Sequence, residues 1–152
     1  KKLSGTSSRP KPFLVLNSDA LWLETHDKAT ETGLQKLLSA WDGRRMDALL
    51  LLQPGSTAIG HSGAGDYRRK KDGRLVRIPG GPAPYVFTGI QILHPRLFDG
   101  SPRGAFSLVR LYDKAEAAGR LFGVKHSGTW IDVGTPEGVD LAEKTLKDLG
   151  KS

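Results

Sequence analysis

Two aspartates occupy positions where α/β proteins often carry out chemistry. Asp19 follows the apolar run 13–17, and Asp132 lies in a short apolar segment before a Gly-Thr-Pro turn. In open α/β sheets, ligands bind outside the carboxyl ends of the strands, and a carboxylate beside a phosphate commonly holds Mg²⁺. Taken alone, each aspartate is more typical of a residue that caps its own turn, and residues 17–19 fit an Asx-turn. A shared site therefore requires a fold that brings the two side chains together.

A glycine interrupts the longest predicted strand. Gly89 lies in the middle of residues 85–93, where it indicates a bulge or the close approach of a ligand, or equally an ordinary kink. The histidines have no spacing typical of a metal site, and we interpret them as surface or turn residues: His26, His61, His94 and His126. The sequence has no Cys, P-loop, Rossmann fingerprint, EF-hand or hydrolase elbow. The lack of Cys excludes disulfides and a Cys nucleophile and fits a cytoplasmic protein.

The chain is basic, with a formal net charge of +7 over 152 residues. This charge favours anionic partners such as nucleic acid or phosphorylated small molecules. The densest basic cluster, 68–71, is followed by Asp72-Gly73, which is a hairpin turn signal. No aromatic residues interleave with the cluster, as base stacking would require. We therefore interpret it as the solvated tip of a hairpin rather than as a nucleic-acid arm.

Periodicity and turn signals predict one α/β domain. The run 13–17 is predicted to be a strand buried on both faces, which indicates a parallel or mixed sheet covered by helices. Further strands are predicted at 47–53, 85–93, 121–124 and 130–133, with a hairpin formed by 66–69 and 75–78. Helices are predicted from Thr30 to Trp41, over 108–118, and after the N-cap Thr135, the last with an inner face of Val139, Ala142, Leu146 and Leu149. The longest apolar run, 48–52, is too short to span a membrane.

Four segments carry a resemblance to a known family. FLVLNSD at 13–19 is similar to a family strand that ends in N-G-D or N-S-D, and YVFTGIQILHP at 85–95 is similar to [YF]-x-G-I-x-[IV]-L-x-P. Phe98 with AFSL at 105–108 matches a P-x-L-F and F-S-L stretch, and WIDVGTPE at 130–137 matches the more specific W-x-D-V-G-T-P-E. In order and spacing these segments resemble the sugar-1-phosphate nucleotidyltransferases. The nearest branches are the N-acetylmuramate-1-phosphate uridylyltransferase-like and mannose-1-phosphate guanylyltransferase-like proteins.

The resemblance implies a fold and an activity. The fold would be a Rossmann-like mixed sheet with flanking helices, of the nucleotide-diphospho-sugar transferase type, with residues 1–152 as a single partial domain. The family's opening L-A-A-G-x-G-x-R-M motif is not found in this sequence. The full enzyme would join a nucleoside triphosphate to a sugar 1-phosphate and release pyrophosphate, in the cytoplasm and with Mg²⁺. The resemblance leaves the base and the sugar open.

The resemblance also implies roles for individual residues. Asp19 and Asp132 would be the catalytic residues and the Mg²⁺ ligands. The substrate-binding residues would be Asn17, Thr88, Gly89 and Gly134: Asn17 at the junction of sugar and metal, Thr88 and Gly89 in the sugar pocket, and Gly134 in the turn that aims Asp132.

We expect the partners to be a sugar 1-phosphate, a nucleoside triphosphate and the N-terminal part that this chain lacks, with a second copy of the chain as a further option. The isolated chain is expected to be inactive. Two alternatives stay open: a non-catalytic relative that binds a nucleotide sugar or a partner protein, and, less favoured, a basic nucleic-acid-binding module.

Overall fold

Two β-sheets and three α-helices form the computed structural model, which describes residues 10–24 and 30–150. The strands are β1 Phe13–Leu16, β2 Ala20–Leu23, β3 Ala48–Pro54, β4 Ala58–Ile59, β5 Tyr67–Arg69, β6 Leu75–Arg77, β7 Tyr85–Leu93, β8 Leu121–Lys125 and β9 Thr129–Asp132. The helices are α1 Gly33–Ala40, α2 Val109–Ala117 and α3 Pro136–Leu149. Short 3₁₀ turns cover Gly55–Thr57 and Pro95–Phe98. Among the described residues, no helix has both the length and the apolar character needed to cross a bilayer.

The larger sheet has the strand order β6-β5-β7-β3-β8 and is mixed, as predicted. β3 pairs antiparallel with β7 and parallel with β8. β1 and β5 both pair with the other edge of β7, β1 over residues 90–93 and β5 only at Tyr85. A stretch of that edge of β7 therefore lies between the ends of two strands and pairs with neither.

β3 is the centre of the hydrophobic core, which confirms the buried strand predicted at 47–53. Its side chains alternate between two clusters: Ala48, Leu50 and Leu52 face one, and Leu49 and Leu51 face the other. The first cluster is covered by α2 and the second by α1. Because a helix covers each face of β3, its sequence is a continuous apolar run and does not alternate between apolar and polar residues.

The prediction that the first strand is buried on both faces is wrong for this chain. Phe13, Leu14 and Leu16 are 42%, 46% and 47% exposed, and only Val15 packs against the core. Among the described strands, β1 pairs with β7 alone. Its second edge and most of its side chains therefore lack a neighbour that could cover them.

α3 begins as predicted, but its inner face is only partly covered. The Thr135 hydroxyl oxygen accepts a hydrogen bond from the Gly138 N–H at 3.1 Å. Ala142 is buried, whereas Val139, Leu146 and Leu149 are each more than 40% exposed. A helix of this length extends about 21 Å, while the four residues of β9 beneath it span about 13 Å. α3 is therefore longer than the strand on which it packs, and Leu149 at its end lines a groove together with Leu23 and Ile59.

The second sheet was not predicted. It has the order β2-β9-β4, with β2 antiparallel and β4 parallel to β9. β2 has four half-buried residues and β4 has two. Segments this short carry no periodicity that distinguishes a strand from a loop. This sheet nevertheless contains Asp132 and begins one residue after Asp19.

The interpretation of the basic cluster as a hairpin tip is confirmed. β5 and β6 form the hairpin around Asp72-Gly73. Two of its arginines are engaged inside the chain: Arg69 Nε–H donates to the Gly123 carbonyl at 2.7 Å, and Arg74 pairs with Asp72.

Of the histidines, His94 does lie at a turn, where its Nδ1 accepts a hydrogen bond from the Arg96 N–H. The interpretation of His126 as a surface or turn residue is wrong, because its side chain is fully buried beside Gly33 and Glu24. That burial lowers the pKa of His126, and the nearby Glu24 carboxylate opposes the shift. His26 lies outside the described residues.

An ion cluster supports the start of β3. The Asp47 carboxylate accepts hydrogen bonds from Arg96 Nε–H at 2.5 Å and Arg120 Nε–H at 2.8 Å. The same arginines donate to the carbonyls of residues 43, 44 and 46. Burial acts to raise the pKa of Asp47, but the hydrogen bonds from Arg120 and Arg96 outweigh it and hold the pKa below its ordinary value of 3.8.

Candidate functional site

A cavity of about 140 Å³ lies where β1 and β5 leave the edge of β7 unpaired. Its floor is formed by residues 86–89 of β7, and the second sheet contributes further walls. The polar and aromatic lining residues are Asn17, Asp19, His61, Asp66, Phe87, Thr88, Trp130 and Asp132. Five of the six site residues expected from the sequence thus line one cavity, and the sixth, Gly134, binds one of them.

The floor of the cavity is a bulge in β7. The pairing register with β3 shifts between Leu50 and Leu52, and Gly89 has a φ of +83°. The Thr88 hydroxyl donates to the Leu51 carbonyl at 2.9 Å and accepts from the Ile90 N–H at 3.3 Å. A bulge of this kind bends the strand and leaves backbone groups unpaired beside a site. The side chain of Thr88 therefore holds the bend in place.

Gly89 allows a close approach, and the group that approaches is Asn17. The Asn17 N–H donates to the Gly89 carbonyl at 2.9 Å. A Cβ at residue 89 would lie 2.7 Å from the Cβ of Asn17, closer than real Cβ contacts. Of the explanations open at the sequence level, the structure thus favours a bulge with a close contact over an ordinary kink. The contact fixes Asn17 at the rim of the cavity.

Asp19 and Asp132 are brought together by the pairing of β2 with β9. Ala20 is opposite Asp132, and the Val133 N–H donates to the Asp19 carbonyl at 3.0 Å. The strand that Asp19 follows, β1, belongs to the larger sheet, whereas Asp132 ends β9 in the smaller one, so the two aspartates do not follow neighbouring strands of one sheet. They meet because the antiparallel pairing places the start of β2 beside the end of β9. The Gly134 N–H donates to Asp132 Oδ1 at 3.0 Å. A Cβ built on Gly134 would lie within 4 Å of both Asp132 Oδ1 and the Cβ of Asp19.

His61 is a site residue that the sequence did not predict. β4 and β9 run parallel, so the residues that follow them reach the same rim. His61 Nδ1 lies 3.7 Å from Asp132 Oδ2, and its ring packs edge-on against Trp130. Gly60 permits this approach, because a Cβ there would lie 2.8 Å from the Asp132 carbonyl oxygen. The only local signal for His61 was its place after a two-residue strand, and a strand this short cannot be predicted from sequence.

Asp66 is the second residue that the sequence did not assign to the site. It immediately precedes β5 and lines the cavity from that side. Its Oδ2 accepts a hydrogen bond from the Phe87 N–H at 2.8 Å, one of the β7 groups left unpaired between β1 and β5. Asp66 therefore stabilises the same stretch of β7 that Asn17 contacts two residues further along.

The cavity is acidic although the chain is basic. Asp19, Asp66 and Asp132 line it, and within residues 10–24 and 30–150 no Lys or Arg does so. The described residues contain no cluster of three or more His, Cys, Asp or Glu with metal-binding geometry. Mg²⁺, however, is usually held by one or two carboxylates together with water and substrate phosphates. The pair Asp19 and Asp132 therefore fits Mg²⁺ bound with a phosphate and does not fit a closed structural metal site.

A larger groove lies at the opposite end of the second sheet. It measures about 520 Å³ and is lined by Leu23, Ile59, Leu149 and several Ser and Thr residues. Glu24 is its one charged lining residue within the part of the chain that the structure describes. Because the smaller cavity gathers three carboxylates, an amide and a bulged strand, its chemistry identifies it as the better candidate despite its size.

Comparison with curated proteins identifies relatives of this chain. No family model matches the chain. The chain is 35% identical over 139 residues to N-acetylmuramate alpha-1-phosphate uridylyltransferase of Caulobacter vibrioides. The matched segment covers 90% of this chain and 55% of that protein. It is 30% identical over 130 residues to the protein of the same name from Neisseria meningitidis serogroup B. This match covers 82% of this chain and 51% of that protein. The chain thus spans about half the length of these relatives.

Solved structures with the same fold confirm the predicted fold class. One is a glucose-1-phosphate thymidylyltransferase from Bacillus anthracis in complex with a sucrose, with a TM-score of 0.66 and 19% identity over 92% of this chain and 56% of that one. Another is apo UDP-glucose pyrophosphorylase, with a TM-score of 0.66 and 17% identity over the same shares of the two chains. At these identities the likeness establishes the mixed α/β architecture.

Proposed function

We propose that this chain, which belongs to the sugar-1-phosphate nucleotidyltransferase family, forms the part of such an enzyme that binds the acceptor sugar and the metal ion. The observation that carries the proposal is the convergence of Asp19 and Asp132 on one cavity with Asn17 and the bulge of β7. The reaction would join a nucleoside triphosphate to a sugar 1-phosphate and release pyrophosphate. The names of the curated relatives favour N-acetylmuramate α-1-phosphate and a uridylyl group as the substrates.

Asp19 and Asp132 would hold Mg²⁺, which, when bound, supplies positive charge that offsets the repulsion between the two substrate phosphates. The chain prepares these carboxylates for that role. The Gly134 N–H fixes Asp132 Oδ1, and the backbone hydrogen bond from Val133 to Asp19 fixes the spacing of the two segments. A carboxylate held as Asp132 is needs little reorganisation when a charged ligand arrives.

The β7 bulge would form the wall against which the sugar rests. The Trp130 indole N–H donates to the Thr88 carbonyl at 3.0 Å, so the floor is tied to the second sheet. Because the Thr88 hydroxyl is engaged by Leu51, Thr88 would contribute shape rather than a hydrogen bond to the sugar. The Asn17 side chain, held against Gly89, would supply the amide at the junction of the sugar and the phosphate.

Residues 1–152 would form one unit of a larger catalytic domain. The exposed apolar side chains of β1 and its unpaired edge are the surface on which the rest of such a domain would pack. Since no Lys or Arg of the described residues lines the cavity, the cations that stabilise the triphosphate would come from that remaining part. The chain alone would bind the acceptor without turnover.

Calorimetric titration of the chain with N-acetylmuramate α-1-phosphate, with and without Mg²⁺, tests the proposal. We expect binding that requires Mg²⁺ and weakens at least about 10-fold in Asp19→Asn and Asp132→Asn, because each change removes one charged ligand. Asp140→Asn, on the exposed face of α3, makes the same change of charge away from the cavity and should bind like the wild type. Binding that is independent of Mg²⁺ and equal in all four proteins would contradict the proposal.

A further inference from the structure

Hydrogen bonds from both its backbone and its side chain fix the position of Asp66 at the cavity. Its N–H donates to the Tyr85 carbonyl at 2.8 Å, and its carbonyl accepts from the Ile78 N–H at 2.9 Å. Its Oδ2 accepts from the Phe87 N–H at 2.8 Å. Backbone and side chain are therefore both fixed before any ligand binds, which reduces the entropy lost on binding.

Within residues 10–24 and 30–150, one oxygen of this fixed carboxylate accepts no hydrogen bond. Among the described residues, Phe87 is the one donor to the Asp66 side chain, and no described cation forms an ion pair with it. An ionised carboxylate only accepts hydrogen bonds, so Oδ1 can accept one from a donor group of a ligand in the cavity. A substrate phosphate is excluded as that partner, because like charges this close would repel.

We propose that Asp66 determines sugar specificity by accepting a hydrogen bond from a hydroxyl or amide N–H on the sugar ring. The inference rests on the proposed function, because it takes the cavity to be the acceptor-sugar site. Asp19 and Asp132 would engage the charged end of the substrate, and Asp66, which lines the cavity from the β5 side, would engage its neutral ring. A sugar that cannot donate this hydrogen bond to the charged carboxylate should bind about 10- to 100-fold more weakly.

Asp66→Asn separates this role from a purely structural one. The asparagine keeps a carbonyl oxygen for the Phe87 N–H, so the support of β7 is retained. It replaces the free oxygen with an NH₂ group, which donates and cannot accept from the sugar. Asp140→Asn is again the matched control, and thermal unfolding of each variant reports whether the fold is intact.

The measurement is titration with N-acetylmuramate α-1-phosphate and with derivatives that each lack one hydroxyl or the acetamido group, all in Mg²⁺. We expect one derivative to bind the wild type about 10- to 100-fold more weakly than the intact sugar. Asp66→Asn should bind the intact sugar more weakly by a similar factor and should not distinguish it from that derivative. The Asp140→Asn control should keep the wild-type preference.

Two results would overturn the inference while leaving the proposed function in place. One is a wild type that binds the intact sugar and every derivative within about two-fold of one another, which needs no variant at all. The other is a folded Asp66→Asn protein with wild-type affinity and wild-type preference. Failure of the wild type to bind the intact sugar in Mg²⁺ would overturn the proposed function and this inference together.

Discussion

Replacing Gly89 with alanine tests how the β7 bulge positions Asn17. Gly89 has a φ of +83°, and a Cβ there would lie 2.7 Å from the Asn17 Cβ and 3.0 Å from its Cγ. Gly104 provides a matched control. Its φ is +87°, but a Cβ there would meet no atom within 4 Å. The two substitutions therefore share the backbone strain and differ in the steric contact.

The magnitudes follow from these two terms. A left-handed φ costs a residue other than glycine about 1–2 kcal/mol, and forcing a methyl group into filled space costs about 1–3 kcal/mol. We expect Gly89→Ala to lower the free energy of unfolding by about 2–5 kcal/mol, and Gly104→Ala to lower it by about 1–2 kcal/mol. Urea denaturation followed by circular dichroism measures both values in the same buffer.

A second substitution identifies the colliding group. Because the shortest contact is with the Cβ of Asn17, Asn17→Gly should recover part of the stability lost in Gly89→Ala, whereas Asn17→Ala, which keeps that Cβ, should not. The corresponding single variants complete the double-mutant cycles. Equal destabilisation by Gly89→Ala and Gly104→Ala, with no coupling to Asn17, would refute the proposed contact.

Three further outcomes are expected. Asp47→Asn should lower the free energy of unfolding by about 2–4 kcal/mol near neutral pH, because Arg96 and Arg120 lose a charged acceptor. Because the pKa of Asp47 is lowered in the folded state, the stabilisation that its carboxylate provides is complete above the ordinary pKa of 3.8 and is lost as the pH falls through the lower folded-state pKa. The free energy of unfolding from urea titrations should therefore depend less on pH below about pH 4 in Asp47→Asn than in the wild type. The same pH dependence in both proteins would contradict this. Sedimentation velocity should show that the chain self-associates through β1, and Leu14→Lys should weaken the association; a wild-type monomer at all concentrations would count against it. The chain alone should release no pyrophosphate from a nucleoside triphosphate and a sugar 1-phosphate, because no Lys or Arg of the described residues lines the cavity to stabilise the triphosphate. Pyrophosphate release that Asp19→Ala abolishes would contradict this.

The elements that could be predicted from the sequence are those whose signals are local. β3 and β7 are long apolar runs bounded by turn residues, and both occur where they were predicted. α3 carries its own start signals, Thr135 as the N-cap and Pro136 as the first helical residue, so its start could be predicted directly. Asp132 could be placed because it belongs to the motif at 130–137, which combines a strand end, a turn and a helix start.

The remaining features depend on pairing between distant segments. The direction of β2 relative to β9 decides that Asp19 and Asp132 meet, yet four half-buried residues reveal neither the strand nor its partner. His61 reaches the site only because the two-residue strand β4 pairs with β9. The apolar run at 13–16 predicts a strand correctly but not its burial, because burial depends on which segments cover it. Periodicity encodes which faces are apolar and does not encode what covers them.

Binding of Mn²⁺, used in place of Mg²⁺ as a paramagnetic probe of oxygen ligands, tests the central claim most directly. Electron paramagnetic resonance gives the free Mn²⁺ as the chain is titrated, and ³¹P relaxation reports whether the phosphate of a bound sugar 1-phosphate lies beside the ion. We predict that the sugar 1-phosphate tightens Mn²⁺ binding, that the bound phosphorus relaxes faster, and that Asp19→Asn and Asp132→Asn each remove both effects while Asp140→Asn leaves them unchanged. Mn²⁺ binding and ³¹P relaxation that are the same in the wild type, Asp19→Asn and Asp132→Asn would contradict a shared cation site at this cavity.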